Sequence, residues 1–120
     1  MLLVAVSGTV FAADGTFDME VSPHVLNIES NSIYVHIHTN IAYADATVKA
    51  LEVNETEIVG DIETFPDDCG NLVVKFEIEE VKAIVIPNEP AVFVLTCDYE
   101  GGECIGEDSV PVIRVIPQKP

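Results

Sequence analysis

The sequence predicts an all-β sandwich of about seven short strands with one short crossover helix. Three observations carry this. Two segments, 33–38 and 72–78, alternate apolar and polar residues with the period of two that a half-buried strand requires. A third, 91–97, is apolar on both faces, as a central strand is. Prolines at positions 23, 66, 87, 90, 111, 117 and 120 divide the chain into short elements. The 120 residues make one domain, and a hydrophobic content of 48% suffices for a core.

From the N-terminus, weak strand patterns at 18–21 and 25–28 flank Pro23. In 33–38, Ile33, Val35 and Ile37 point one way, and Tyr34, His36 and His38 the other. Weak strands at 47–53 and 57–62 surround a turn at Asn54. In 72–78 the inward residues are Leu72, Val74, Phe76 and Ile78. The pattern then changes, because Val81, Ile84 and Val85 fall at i, i+3 and i+4. Glu79 and Glu80 stand where a helix dipole favours negative charge, so 79–85 is expected to make one or two helical turns crossing between sheets. After the central strand 91–97 comes a turn signal, Gly101-Gly102. Segment 112–116 is the expected closing strand, and Pro111 removes a backbone donor, which places that end on an edge. Strands of this length with turn signals roughly every 8–12 residues predict an immunoglobulin-like sandwich.

Charge narrows the partners. Against 21 Asp+Glu stand 5 Lys+Arg, for a net charge of −16. Such a field repels phosphate, which argues against nucleic acid and acidic membranes as partners. No apolar run reaches the roughly 18 residues of a membrane-spanning helix.

Residues 1–12 have the uncharged, apolar character of a signal-peptide core. Val10-x-Ala12 puts small residues at the −3 and −1 positions of a cleavage site. A basic start is missing, since the first cation is Lys49, so the expectation is a truncated signal peptide at 1–12 and a mature domain at 13–120. The alternative is that the segment is a genuine strand retained in the mature protein.

In the oxidising compartment that this implies, the cysteines are candidates for a disulfide. Cys97 and Cys104 lie symmetrically about the turn, which sets them opposite each other across a hairpin, while Cys69 is left over. No C-x-x-C occurs. Asp67-Asp68-Cys69-Gly70-Asn71 offers oxygens for calcium, with Asp67 and Asp68 as candidate ligands. It is too short for an EF-hand loop, and a solvated turn is the competing reading. His36-x-His38 has a metal-binding spacing on a strand, yet no third ligand is evident, and two surface histidines are the expectation. Asn54-Glu55-Thr56 is an N-glycosylation sequon, with Asn54 as acceptor. The spacing Gly101…Gly106 is followed by Glu107-Asp108, which would repel phosphate; no H-E-x-x-H or G-x-S-x-G occurs. No catalytic residue and no required cofactor is indicated.

Val21-Ser-Pro-His-Val-Leu-Asn27, Ile33-Tyr-Val-His-Ile37, Asp68-Cys-Gly-Asn-Leu-Val-Val-Lys-Phe76, Val81-Lys-Ala-Ile-Val85, Gly106-Glu-Asp108 and Ile113-Arg-Val-Ile116 follow in an order that resembles the immunoglobulin-like modules of secreted bacterial and archaeal proteins. The resemblance covers about residues 20–116. It implies a sandwich in an extracellular setting and carries over no catalytic residue. The chain departs from that group in standing almost alone and in a long 109–112 segment. The expected function is a non-enzymatic extracellular structural or adhesion module, with cell-surface or extracellular proteins, copies of itself included, as partners. The alternatives are a fibre subunit assembled by N-terminal donor-strand exchange and an extracellular calcium-binding protein.

Overall fold

Val74, Phe76, Phe93 and Leu95 are fully buried, and they come from two segments that belong to different sheets. The computed structural model describes residues 15–116. Its strands are β1 (Gly15–Phe17), β2 (Met19–Ser22), β3 (Leu26–Asn27), β4 (Tyr34–Ala42), β5 (Ala46–Val53), β6 (Thr56–Glu57), β7 (Ile62–Pro66), β8 (Asn71–Glu77), β9 (Ala91–Tyr99), β10 (Gly102–Val110) and β11 (Val112–Ile113). One helix, α1 (Ile78–Lys82), follows β8, and a 3₁₀ turn, Tyr43–Asp45, joins β4 to β5. The expected leader at 1–12 lies outside the described residues.

One sheet has the order β2-β4-β8-β7 and the other β1-β10-β9-β5-β6; β3 and β11 form a short parallel pair. Lettered along the chain, β2, β4, β8 and β7 take the places A, B, E and D, and β10, β9 and β5 the places G, F and C. The fold is an immunoglobulin-like β-sandwich. Strands β8 and β9 are consecutive in sequence but lie in opposite sheets, and α1 makes the crossing, with Ile78 and Val81 turned into the core.

The alternating and apolar segments behave as their patterns dictate. In β4, Val35 and Ile37 are buried; the strand runs on to Ala42 through Thr39 and Ile41, past a register shift between His38 and Ala42. Thr39 is accommodated in the core because its Oγ1 donates to the Leu72 carbonyl at 2.8 Å. Strand β9 lies between β5 and β10, the central position its sequence implies.

Three expectations need correction. Segment 57–62 is not one strand. Thr56–Glu57 closes a hairpin on β5, and a separate edge strand begins at Ile62. Ile33 is 62% exposed and precedes its strand, and Ile78 is buried as the first residue of α1, not the last of β8. The closing strand is β10, nine residues long, whereas 112–116 contributes only the two residues of β11. The physical reason lies in what β10 turns inward. Gly106 has no side chain because the Phe17 ring of β1 occupies that space, where a Cβ would overlap it. Asp108 accepts the backbone N–H of Val21 in the opposite sheet at 2.9 Å. A strand facing the core with Gly and Asp has no apolar alternation to recognise.

Candidate functional site

The β9–β10 hairpin turns at Glu100 and Gly101, both with positive φ, 52° and 80°. This is the primed turn whose twist matches a two-residue hairpin. It sets Cys97 directly opposite Cys104, as the symmetry of the sequence predicts. No disulfide links the described cysteines. The Cys97 thiol is buried, and burial, reinforced by Cys104 and Asp98, pushes its pKa up to about 12. Cys69 is exposed in the β7–β8 turn.

A second primed turn joins β5 to β6 at Asn54 and Glu55, with φ of 50° and 69°. Asn54 tolerates positive φ, and its side chain finds work there. Its Oδ1 accepts the Val92 N–H at 2.8 Å, and its own N–H donates to the Val92 carbonyl at 2.9 Å. The sequon asparagine thus ties the β5–β6 turn to the start of β9.

Asp67 does the same for the β7–β8 connection. Its Oδ1 accepts the N–H groups of Cys69 (2.8 Å) and Asn71 (2.9 Å). The Asn71 N–H, helped by those of Cys69 and Gly70 and by His38, holds the Asp67 carboxyl below the usual carboxylate range. Asp68 beside it is exposed. Among the described residues no group of three or more His, Cys, Asp or Glu gathers as a metal shell.

Two further carboxylates act alike, Glu80, which the sequence places at a helix start, and Asp108, which the sequence shows only as a charge that repels phosphate. Glu80 of α1 reaches the N–H groups of Val59 (3.1 Å) and Gly60 (3.0 Å) in the β6–β7 connection, and Asp108 takes that of Val21 across the sandwich. Neither contact has a local sequence signal, because its partners lie 20 or more residues apart: 20 for Glu80 to Gly60, and 87 for Asp108 to Val21.

His36 and His38 lie on the outer face of the β2-β4-β8-β7 sheet, as their alternation predicts, with rings stacked at 6.3 Å. Phe65 of the edge strand meets His36 edge-on, also at 6.3 Å. Beneath them Val73 is 1% exposed although it points away from the main core. Next to them the Lys75 ammonium lies 4.1 Å from the Tyr34 ring centroid, a cation–π contact. Partial burial, together with His38 and Lys75, lowers the His36 pKa. His24 is exposed and takes no part in this stack.

No family model matches the chain, and no curated protein matches it. A solved structure of titin M4 in a trigonal form is similar at 12% identity, covering 83% of this chain and 90% of that chain, with a TM-score of 0.45.

Proposed function

We propose that the chain is a non-enzymatic structural or adhesion module of the extracellular space, of the immunoglobulin-like kind carried by secreted bacterial and archaeal proteins. One observation carries the reading: Asn54, Asp67, Glu80 and Asp108, polar side chains of the sort that active sites use, each hold the module's own backbone N–H groups. Their acceptor oxygens brace turns and sheet edges, which suits a rigid spacer or contact domain. Export is supported by the apolar segment 1–12 and its Val10-x-Ala12 site. The stacked face of Tyr34, His36, His38 and Phe65 offers an extracellular partner an aromatic surface on an otherwise acidic protein.

The test combines fractionation with an activity survey. The protein is expected outside the cell and without turnover of ester, peptide, glycoside or phosphate substrates. A reproducible activity lost on a single substitution would overturn the reading. Calorimetry with calcium addresses the ion-binding alternative. Because Asp67 Oδ1 is held by two amides, no binding at or below about a millimolar is expected; binding in that range, lost in Asp67→Ala, would make calcium carriage the function.

A further inference from the structure

The sequon asparagine commits one end of its amide to the fold and leaves the other end over. Of the asparagines at 27, 31, 40, 54, 71 and 88, only Asn54 is followed by the x-Thr that an N-glycosylation acceptor requires. It opens the two-residue turn between β5 and β6, and both Asn54 and Thr56 are exposed. The contact itself fixes which end of the amide faces the protein. The Val92 N–H is a donor, so the atom 2.8 Å from it is the oxygen, Oδ1. The end left over is Nδ2, and among the described residues it donates to no acceptor. Asn27 shows the opposite case. Its Oδ1 accepts the Glu29 and Val115 N–H groups and its Nδ2 donates to the Val115 carbonyl, so both ends are committed.

The surroundings leave room for a substituent. Asn54 and Glu55 line an open groove of about 430 Å³ together with Val92, Val94 and Glu107. Val92 and Val94 alternate with the buried Phe93 and Leu95, so this groove lies on the outer face of the sheet, away from the core. A sugar ring has C–H faces and hydroxyl donors. The two valines suit the former, and the Glu107 carboxylate is an acceptor for the latter.

We propose that Asn54 is a glycosylation site, carrying an oligosaccharide on Nδ2 while Oδ1 keeps its bond to the Val92 N–H. This rests on reading the chain as an extracellular module, because the sequon has meaning only in an exported protein. In the transfer, Nδ2 forms a C–N bond to the anomeric carbon of a lipid-phosphate-linked sugar. The bond from that carbon to the donor's phosphate oxygen breaks. The lipid phosphate leaves with the electron pair, the amide gives up one proton, and nothing is oxidised or reduced. The product amide retains its oxygen, so the turn keeps its brace, and the first sugar lies along Val92 and Val94.

The experiment takes the full-length mature protein from the medium or surface of the cells that make it. It measures the mass of the proteolytic peptide containing Asn54. A mass raised by one or more sugar residues, placed on Asn54 by fragmentation, is expected. Two further variants separate the modification from the turn. Thr56→Val removes the acceptor hydroxyl but leaves the Asn54 side chain; it should abolish the added mass with protection of the Val92 amide unchanged. Thr56→Ser keeps the hydroxyl and should keep the mass. Asn54→Asp keeps an oxygen for the Val92 N–H but has no Nδ2, so it should lose the mass and stay folded; it decides alone if Thr56→Val does not fold. An unmodified Asn54 in protein recovered outside the cell overturns the inference and leaves the extracellular module standing. Added mass that persists in Thr56→Val or Asn54→Asp overturns it likewise. Protein found only in the cytosol overturns the extracellular reading, and this inference with it.

Discussion

Gly106 and Asp108 face the core from β10 where an ordinary strand would carry apolar side chains, and each is matched to one partner, Phe17 and the Val21 N–H. Gly106→Val should displace the Phe17 ring and cost about 1–3 kcal/mol. Asp108→Ala leaves a buried N–H without its acceptor and should cost about 1–3 kcal/mol, most of it restored in Asp108→Asn, which keeps an acceptor oxygen. Denaturant midpoints at unchanged m-value measure both. His36 makes stability depend on pH. Its folded pKa lies below the unfolded value, so the unfolded chain takes up the proton first as pH falls. Stability is thus complete above the ordinary histidine range and declines as pH drops through about 6.5 toward the folded pKa. The melting-temperature difference between about pH 8 and about pH 5.5 should shrink in His36→Gln. The thiols should separate by accessibility: a maleimide labels Cys69 rapidly and Cys97 only on unfolding, since burial keeps Cys97 protonated. In an oxidising medium the opposed pair Cys97 and Cys104 is expected to form the bond that the hairpin register allows, slowly without a catalyst, and an intact mass lower by about two hydrogens reports it.

At the scale of elements, legibility followed periodicity. The segments around β4, β8 and β9 were readable because each buries a regular set of side chains, and α1 because Val81, Ile84 and Val85 change the period. Strand β10 was obscured by Gly106 and Asp108, and β7 by lying on an edge, where Glu63, Thr64 and Phe65 stay exposed and Pro66 ends the ladder. The same limit applies to the site. Asp67 and Asn54 stood out because turn chemistry is local, but the amides they hold, and the whole of the Glu80 and Asp108 contacts, depend on chain neighbours that only the fold supplies. Asp67→Ala should therefore loosen the β7–β8 turn, lower the melting temperature and speed exchange at Cys69 and Asn71, with β9 and β10 little changed.

For the whole molecule the dominant fact is charge. Lys49, Lys75, Lys82 and Arg114 each sit beside a carboxylate, but every pair has at least one partner well exposed to water, so each contributes little individually. With 21 acidic residues against 5 basic ones, repulsion opposes compaction, so the melting temperature should rise with added salt; a value unmoved between low and high salt would show that repulsion is unimportant. What resists that repulsion is the buried core shared by the two sheets, where Phe93→Ala should cost about 3–5 kcal/mol. The central claim is that this chain uses its reactive-looking side chains to hold its own backbone. Site-resolved amide exchange tests it most directly, at Val21, Gly60, Asn71 and Val92, whose N–H groups are bound by side chains of Asp108, Glu80, Asp67 and Asn54. The account predicts protection at these amides close to that of the neighbouring strands, lost one at a time when the matching side chain is truncated to alanine. Exchange there at the rate of an open loop, unchanged by the truncations, would contradict it.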